Sequence, residues 1–207
     1  NFSSENQYAL NGKRTSFLLP DYSKVVLNAG SEIEFKKWNW DHNRKLKLEG
    51  EAYFKVAKGK KFEVLTSLGK VTVLGTQFNV KARRNRFDVS CFEGRVYVNY
   101  KNKEVLLTHG QSVSFENGNQ INTAINATKP AWLENYVSFN KENLDNIVEE
   151  IQRQYNITIE MKTKYPDELF TGKIPLNNLD DAIHIIEITY HLNSTQIGPN
   201  KIIFEIK

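Results

Sequence analysis

The sequence predicts an all-β domain over residues 1–128, a sandwich or short solenoid-like stack of antiparallel strands. A small α+β domain of two β-α-β units is predicted to follow over residues 129–207. Three observations carry this reading. Short runs with apolar residues at every second position recur between turn residues through the first 128 positions. That alternation stops in the stretch AINATKP, Ala124–Pro130, which reads as a boundary. Beyond it the apolar period becomes that of a helix, twice, and the second occurrence follows the first by 35 positions.

Taken in order, the predicted strands begin with TSFLL, KVVL and EIEF. KLKLEG and EAYFKVA follow on either side of Gly50, and then KFEVLT, KVTVLG, QFNVKA, RFDVSCF, RVYVNY, EVLLT and SVSF. Alternation of this kind buries one face of each strand. Many short strands at close spacing point away from a parallel α/β sheet. LEGEAYFKV (Leu48–Val56) aligns with FEGRVYVNY (Phe92–Tyr100), each with Glu-Gly and a Tyr three residues after the Gly. Gly50 and Gly94 are therefore expected at bulges or close backbone approaches, in two similar layers placed against each other. In LGTQFNVK, Leu74, Phe78 and Val80 are expected on one strand face. Gly75 would let the chain bend or another strand come close, and a side-chain bond from Thr76 would close the bend. Trp132, just past the boundary, is expected as a packed anchor at the domain seam.

In the second domain VSF is a strand. Leu144, Ile147, Val148, Ile151 and Tyr155 then fall on one helical stripe, with Asn156 tolerating the left-handed conformation at its end. ITIEM and FTGKI are strands, Leu179, Ala182, Ile183, Ile186 and Tyr190 repeat the first stripe, and KIIFEIK closes the chain. Neither helix can bury its stripe alone, so each must cover a small sheet. On the second helix Ile185, Ile188 and Leu192 lie away from the stripe at i, i+3 and i+7, which makes them candidates for partner docking.

Composition narrows the chemistry. With 40% apolar and 25% charged residues the chain can build a sizeable core. The net charge of +4 is spread among acidic residues, and the one tight basic run, Lys58-Gly-Lys-Lys61, reads as a turn, so no nucleic-acid partner is expected. The single cysteine, Cys91, is expected to be a buried thiol. His184 and His191 stand seven apart, unsuited to a zinc pair, and neither a metal nor a cofactor is expected. Glu49 and Glu51 flank Gly50 and would share a strand face, but nothing implies a pocket around them. Trp38 and Trp40 would alternate on one strand face, either plugging a sandwich end or stacking a sugar in a carbohydrate- or surface-binding module. No phosphate loop or nucleophile motif occurs, and no run of about 18 apolar residues could span a membrane.

LPDYSKVVLNAGSEIEF, LEGEAYFKVAKGKKFEVLTSLGKVTVLGTQFNVKA and FEGRVYV together resemble the periplasmic part of FecR-family anti-sigma factors. The family's Gly-Glu-Ala-Tyr-Phe-x-Val signature is complete at Gly50–Val56, and its Val-x-Val-Leu-Gly-Thr-x-Phe-Asn-Val signature at Val71–Val80. Tyr22 departs from the pattern, standing where the family usually has Gly, and must adopt a left-handed conformation or change the turn. The C-terminal half is similar to the short fold of secretins and TonB-dependent receptors abbreviated STN. The resemblance implies a non-enzymatic regulator, with Gly50, Tyr53, Phe54, Gly75, Phe78, Gly94 and Trp132 as structural residues. It also implies that the C-terminal domain receives the signalling domain of a TonB-dependent outer-membrane receptor. An extracytoplasmic-function (ECF) sigma factor would be bound through a cytoplasmic region upstream of Asn1, beyond a single inner-membrane helix.

Overall fold

Thirteen strands build the first part of the chain. They are β1 (Glu5–Ala9), β2 (Thr15–Leu18), β3 (Lys24–Leu27), β4 (Ser31–Phe35), β5 (Arg44–Lys55), β6 (Phe62–Leu65), β7 (Lys70–Val73), β8 (Gln77–Arg83), β9 (Arg86–Glu93), β10 (Arg95–Tyr100), β11 (Lys103–Thr108), β12 (Gln111–Glu116) and β13 (Asn119–Ala124). The structure is a computed structural model that describes residues 4–164 and 166–207. The chain divides into two units, Asn1–Pro130 and Ala131–Lys207.

The first unit is one large sheet curled onto itself, and β5 is the strand on which it turns. The first half of β5 pairs with β4 and, in parallel, with β6, while its second half pairs with β3 and β8. One layer thus runs β1-β4-β5-β6-β7-β10-β11 and the other β2-β3-β5-β8-β9-β12-β13. KLKLEG and EAYFKVA, expected as two strands, are one continuous strand of 12 residues. Gly50 (φ +99°) sits where β5 changes layer. Gly94 (φ +84°) sits where β9, in one layer, hands over to β10 in the other. The echoed Glu-Gly motif therefore marks two of the points at which the chain crosses between layers, and at these two glycine supplies the positive φ.

Alternate residues of both layers enter a single core. Phe54 stacks on Phe78 with centroids 5.0 Å apart and meets Phe62 of the opposite layer edge-on at 6.1 Å. Tyr100 of one layer stacks on Phe115 of the other at 4.4 Å. Each fully buried side chain of this size is worth about 1.5–3 kcal/mol over exposure. Two strands of this unit lie outside the sequence expectation, β1 and β13. All six side chains of β13 are exposed, so its sequence carries no alternation to find.

The second unit opens with a 3₁₀ turn, Ala131–Glu134, in which Trp132 is buried. There follow β14 (Tyr136–Glu142), α1 (Leu144–Tyr155), β15 (Thr158–Met161), β16 (Phe170–Pro175), α2 (Leu179–Tyr190), β17 (Leu192–Ile197) and β18 (Lys201–Ile206). Both helices place their stripes in one core with Ile159, Ile174, Ile202 and Phe204. The 35-residue repeat extends to the helix ends. Asn143 and Asn178 take the N-cap positions in extended conformation, and Asn156 (φ 53°) and His191 (φ 53°) are left-handed C-caps.

The strands pair differently from two separate β-α-β units. β14 pairs antiparallel with β16, whereas β15 pairs in parallel with β18, which also pairs with β17. Neither helix links two strands that pair with each other, so the repeats interlock and neither closes by itself. No helix among the described residues is long and apolar enough to cross a membrane.

Candidate functional site

The motif residues of the first unit are held by one another. β7 ends at Val73 and the chain bends before β8 begins at Gln77. Leu74 lies in that bend, 60% exposed, so only Phe78 and Val80 share the core-facing side expected for all three. A Cβ on Gly75 would lie 2.7 Å from Lys58 Cα, and one on Gly94 would lie 3.1 Å from the Gly75 carbonyl oxygen. These are the close approaches that glycine permits. Thr76 is buried, and its Oγ1 donates to the Arg95 carbonyl (3.1 Å) while its own carbonyl accepts from Val56 N (2.9 Å). Tyr53 donates its hydroxyl to Gln77 Oε1 at 2.7 Å.

Asn79 belongs to a buried polar cluster. Its Nδ2 donates to Glu51 Oε1 (2.9 Å), and Asn28 Nδ2 donates to Glu51 Oε2 (3.0 Å). Ser31 Oγ accepts from Glu51 N at 3.0 Å and from Arg83 Nη2 at 3.0 Å. Glu51 is buried, whereas Glu49, on the other side of the Gly50 crossing, stays exposed. The two carboxylates are not brought into a shared environment.

Sequence reading missed Arg44, the first residue of β5. It is buried and ion-paired to Asp21 Oδ2 at 2.8 Å. It also donates to the carbonyls of Ala57 (2.9 Å), Lys60 and Leu74 (3.3 Å), so one guanidinium ties the LPDYS turn to two further loops. Burial pushes the Asp21 carboxyl upward, but hydrogen bonds from Arg44 and Ser23 outweigh it and hold the group below its ordinary range. Tyr22 accepts the left-handed conformation (φ 64°) with its side chain exposed.

Trp38 and Trp40 do not alternate on a strand. Both lie in the irregular segment between β4 and β5, where Trp38 is 66% exposed and Trp40 only 2%. Trp40 meets Phe35 and Phe62 edge-on at 5.6 and 6.0 Å, so the pair forms no common stacking platform. Cys91 is buried, and burial raises its thiol to about 11. Among the described residues no three His, Cys, Asp or Glu side chains gather as a metal site. His191 caps α2, and His184 Nδ1 lies 3.5 Å from Glu187 Oε2.

The outward side of α2 is smaller than its sequence suggests. Ile185 packs partly against the core and Ile188 is 55% exposed. Leu192 lies beyond the helix on β17, 1% exposed, because the left-handed turn at His191 reverses the chain first. Below His184 and Glu187 a groove of about 410 Å³ opens between α2 and strands β17 and β18. Its floor is Leu179, Ile183 and Ile202, and Asp180, Asp181 and Glu187 rim it.

Residues 7–97 match the model of the family described as FecR protein, and residues 136–204 match the model described as FecR, C-terminal. Two crystal structures of a candidate anti-sigma factor from Parabacteroides distasonis ATCC 8503 share the fold. One, at 1.65 Å, has a TM-score of 0.88 and 25% identity, covering 98% of this chain and 99% of that one. The other, at 2.50 Å, has a TM-score of 0.90 and 25% identity, covering 99% and 100%. A search of curated proteins returns no significant match.

Proposed function

Because this chain belongs to the FecR family of anti-sigma regulators, we propose that it is the periplasmic signalling region of a membrane-anchored sigma regulator. The observation that carries the reading is the succession of both family models along one chain that resembles anti-sigma-factor candidates from end to end. On this reading residues 1–128 form the FecR-like domain and residues 129–207 the STN-like domain. The latter receives the signalling domain of a substrate-loaded TonB-dependent outer-membrane receptor. The signal then crosses the inner membrane and changes the activity of an ECF sigma factor, which is held by a cytoplasmic region outside this sequence.

The buried networks of the first unit fit a regulator whose motifs maintain shape, since Glu51, Arg44 and Thr76 spend their polar atoms on the protein itself. Ile188 on α2 is the apolar side chain the second unit offers from the expected docking face. Calorimetric titration of this chain with the signalling domain of its cognate receptor tests the reading. Saturable binding is expected, weakened at least tenfold by Ile188→Glu, since a charge would then have to be desolvated at the contact. Absence of heat and of any NMR shift would refute the partner assignment.

A further inference from the structure

We propose that β17 is a docking edge for an extended, basic strand of the partner, with Glu187 as a displaceable guard of that edge. This rests on the reading that the second unit receives a partner, and adds where the partner binds and with what chemistry.

The three-stranded sheet β15-β18-β17 has two outer edges, and an unpaired row of N–H and C=O groups is a template for a further strand. Each helix reaches over to blunt one of them. Gln152 Oε1 of α1 accepts from Ile159 N of β15 at 2.7 Å. Glu187 Oε1 of α2 accepts from Ser194 N of β17 at 2.9 Å. Gln152 and Glu187 are equivalent in the 35-residue repeat, as are Ile159 and Ser194, so the guard is a repeated device.

The two edges are nevertheless unlike. β15 is four residues long and carries Glu160, ion-paired to Lys201 at 2.6 Å. β17 offers six residues, Leu-Asn-Ser-Thr-Gln-Ile, with no charge and no proline, the features by which exposed edges are normally protected. Because Ser194 N points away from β18, strand alternation turns the backbone groups of Leu192 and Gln196 outward as well.

The groove beside this edge indicates what arrives. An apolar floor of Leu179, Ile183 and Ile202 under a rim of Asp180, Asp181, His184 and Glu187, three carboxylates to one imidazole, suits an aliphatic stem ending in a cation, a Lys or Arg side chain. A carbonyl of the incoming strand accepts from Ser194 N–H in place of Glu187, and the released Glu187 carboxylate pairs with the incoming cation. Neither group is left unsatisfied, so the exchange is nearly balanced before the new ladder is counted. Gln152 has no charge to transfer in this way, and its edge stays closed.

The ¹⁵N-labelled chain is titrated with two probes. One is the cognate receptor's signalling domain, and the other is a blocked peptide of alternating Lys and Val. Both are expected to shift the amides of Leu192, Ser194 and Gln196. Gln196→Pro removes an outward N–H while sparing the bonds to β18, and is expected to weaken binding at least tenfold, against less than threefold for Gln196→Ala. Glu187→Gln retains the guarding acceptor without its charge and is expected to weaken the peptide at least fivefold. Binding of the receptor domain with β17 unmoved overturns this inference and leaves the partner assignment standing. Peptide binding at β17 without receptor binding supports the edge and overturns that assignment. Unchanged peptide affinity in Glu187→Gln overturns the role of the guard.

Discussion

Arg44 and Asp21 show how much of the first unit depends on single side chains. Replacing Arg44 by Ala takes the cation from the largely buried Asp21 carboxylate and removes one donor from each of three loop carbonyls. Removing one partner of a buried pair costs about 3–5 kcal/mol, and a loss of this order is expected in urea denaturation. The same pair makes stability depend on pH. The Asp21 carboxyl has a lower pKa folded than unfolded, so its contribution is fully present above the ordinary carboxylate range and is lost as pH falls through and below it. Asp21→Asn should flatten the dependence of the urea midpoint on acidification, and an unaltered slope would contradict the assignment. Neither residue was legible in the sequence as part of a pair, because they stand 23 positions apart and single-chain patterning reports only local periodicity. Glu51 and Asn79, 28 apart, escaped for the same reason. Gly50, Gly75 and Gly94 could be read, because the lack of a side chain inside a strand pattern is itself a local signal.

At the scale of elements, the stripes of α1 and α2 were readable from spacing because helices bury one side through contacts repeated every turn. Their ends were less so. Asn156 announces a left-handed cap, whereas His191 occupies the same conformation without a sequence signal, and Leu192 therefore looked helical when it begins β17. β17 and β13, both outer strands rich in Asn, Gln and Thr, lack the one-sided burial that period-two reading detects. The N-caps make a finer distinction. Asn178 Oδ1 accepts from Asp181 N at 3.1 Å, and Asn143 makes no side-chain cap bond. Asn178→Ala should therefore cost about 1 kcal/mol of stability and Asn143→Ala only a few tenths, a contrast that paired urea melts can resolve. Equal losses would mean that the asymmetry of the caps has no energetic weight.

At the scale of the molecule, two separate levels of repetition organise the chain. The echoed Glu-Gly motif marks crossings between layers in one unit, and the 35-residue repeat duplicates helix, caps and edge guard in the other. The two-layered sheet could be anticipated from that echo, but the interlocked pairing of the second unit could not, since spacing does not say which strands become neighbours. If the family motifs of the first unit hold shape and the second unit alone takes the partner, stability and affinity should separate under mutation. Gly75→Ala is suited to the test, because its Cβ would press on Lys58 backbone at 2.7 Å far along the chain from β17. Overpacking of this kind typically costs about 1–3 kcal/mol. A lowered melting temperature is expected, with partner affinity in calorimetry within twofold of the parent at a temperature where both proteins are folded. A folded Gly75→Ala protein that bound its partner tenfold more weakly would show instead that the first unit contributes to recognition, and the signature would then have a role beyond maintaining the sandwich.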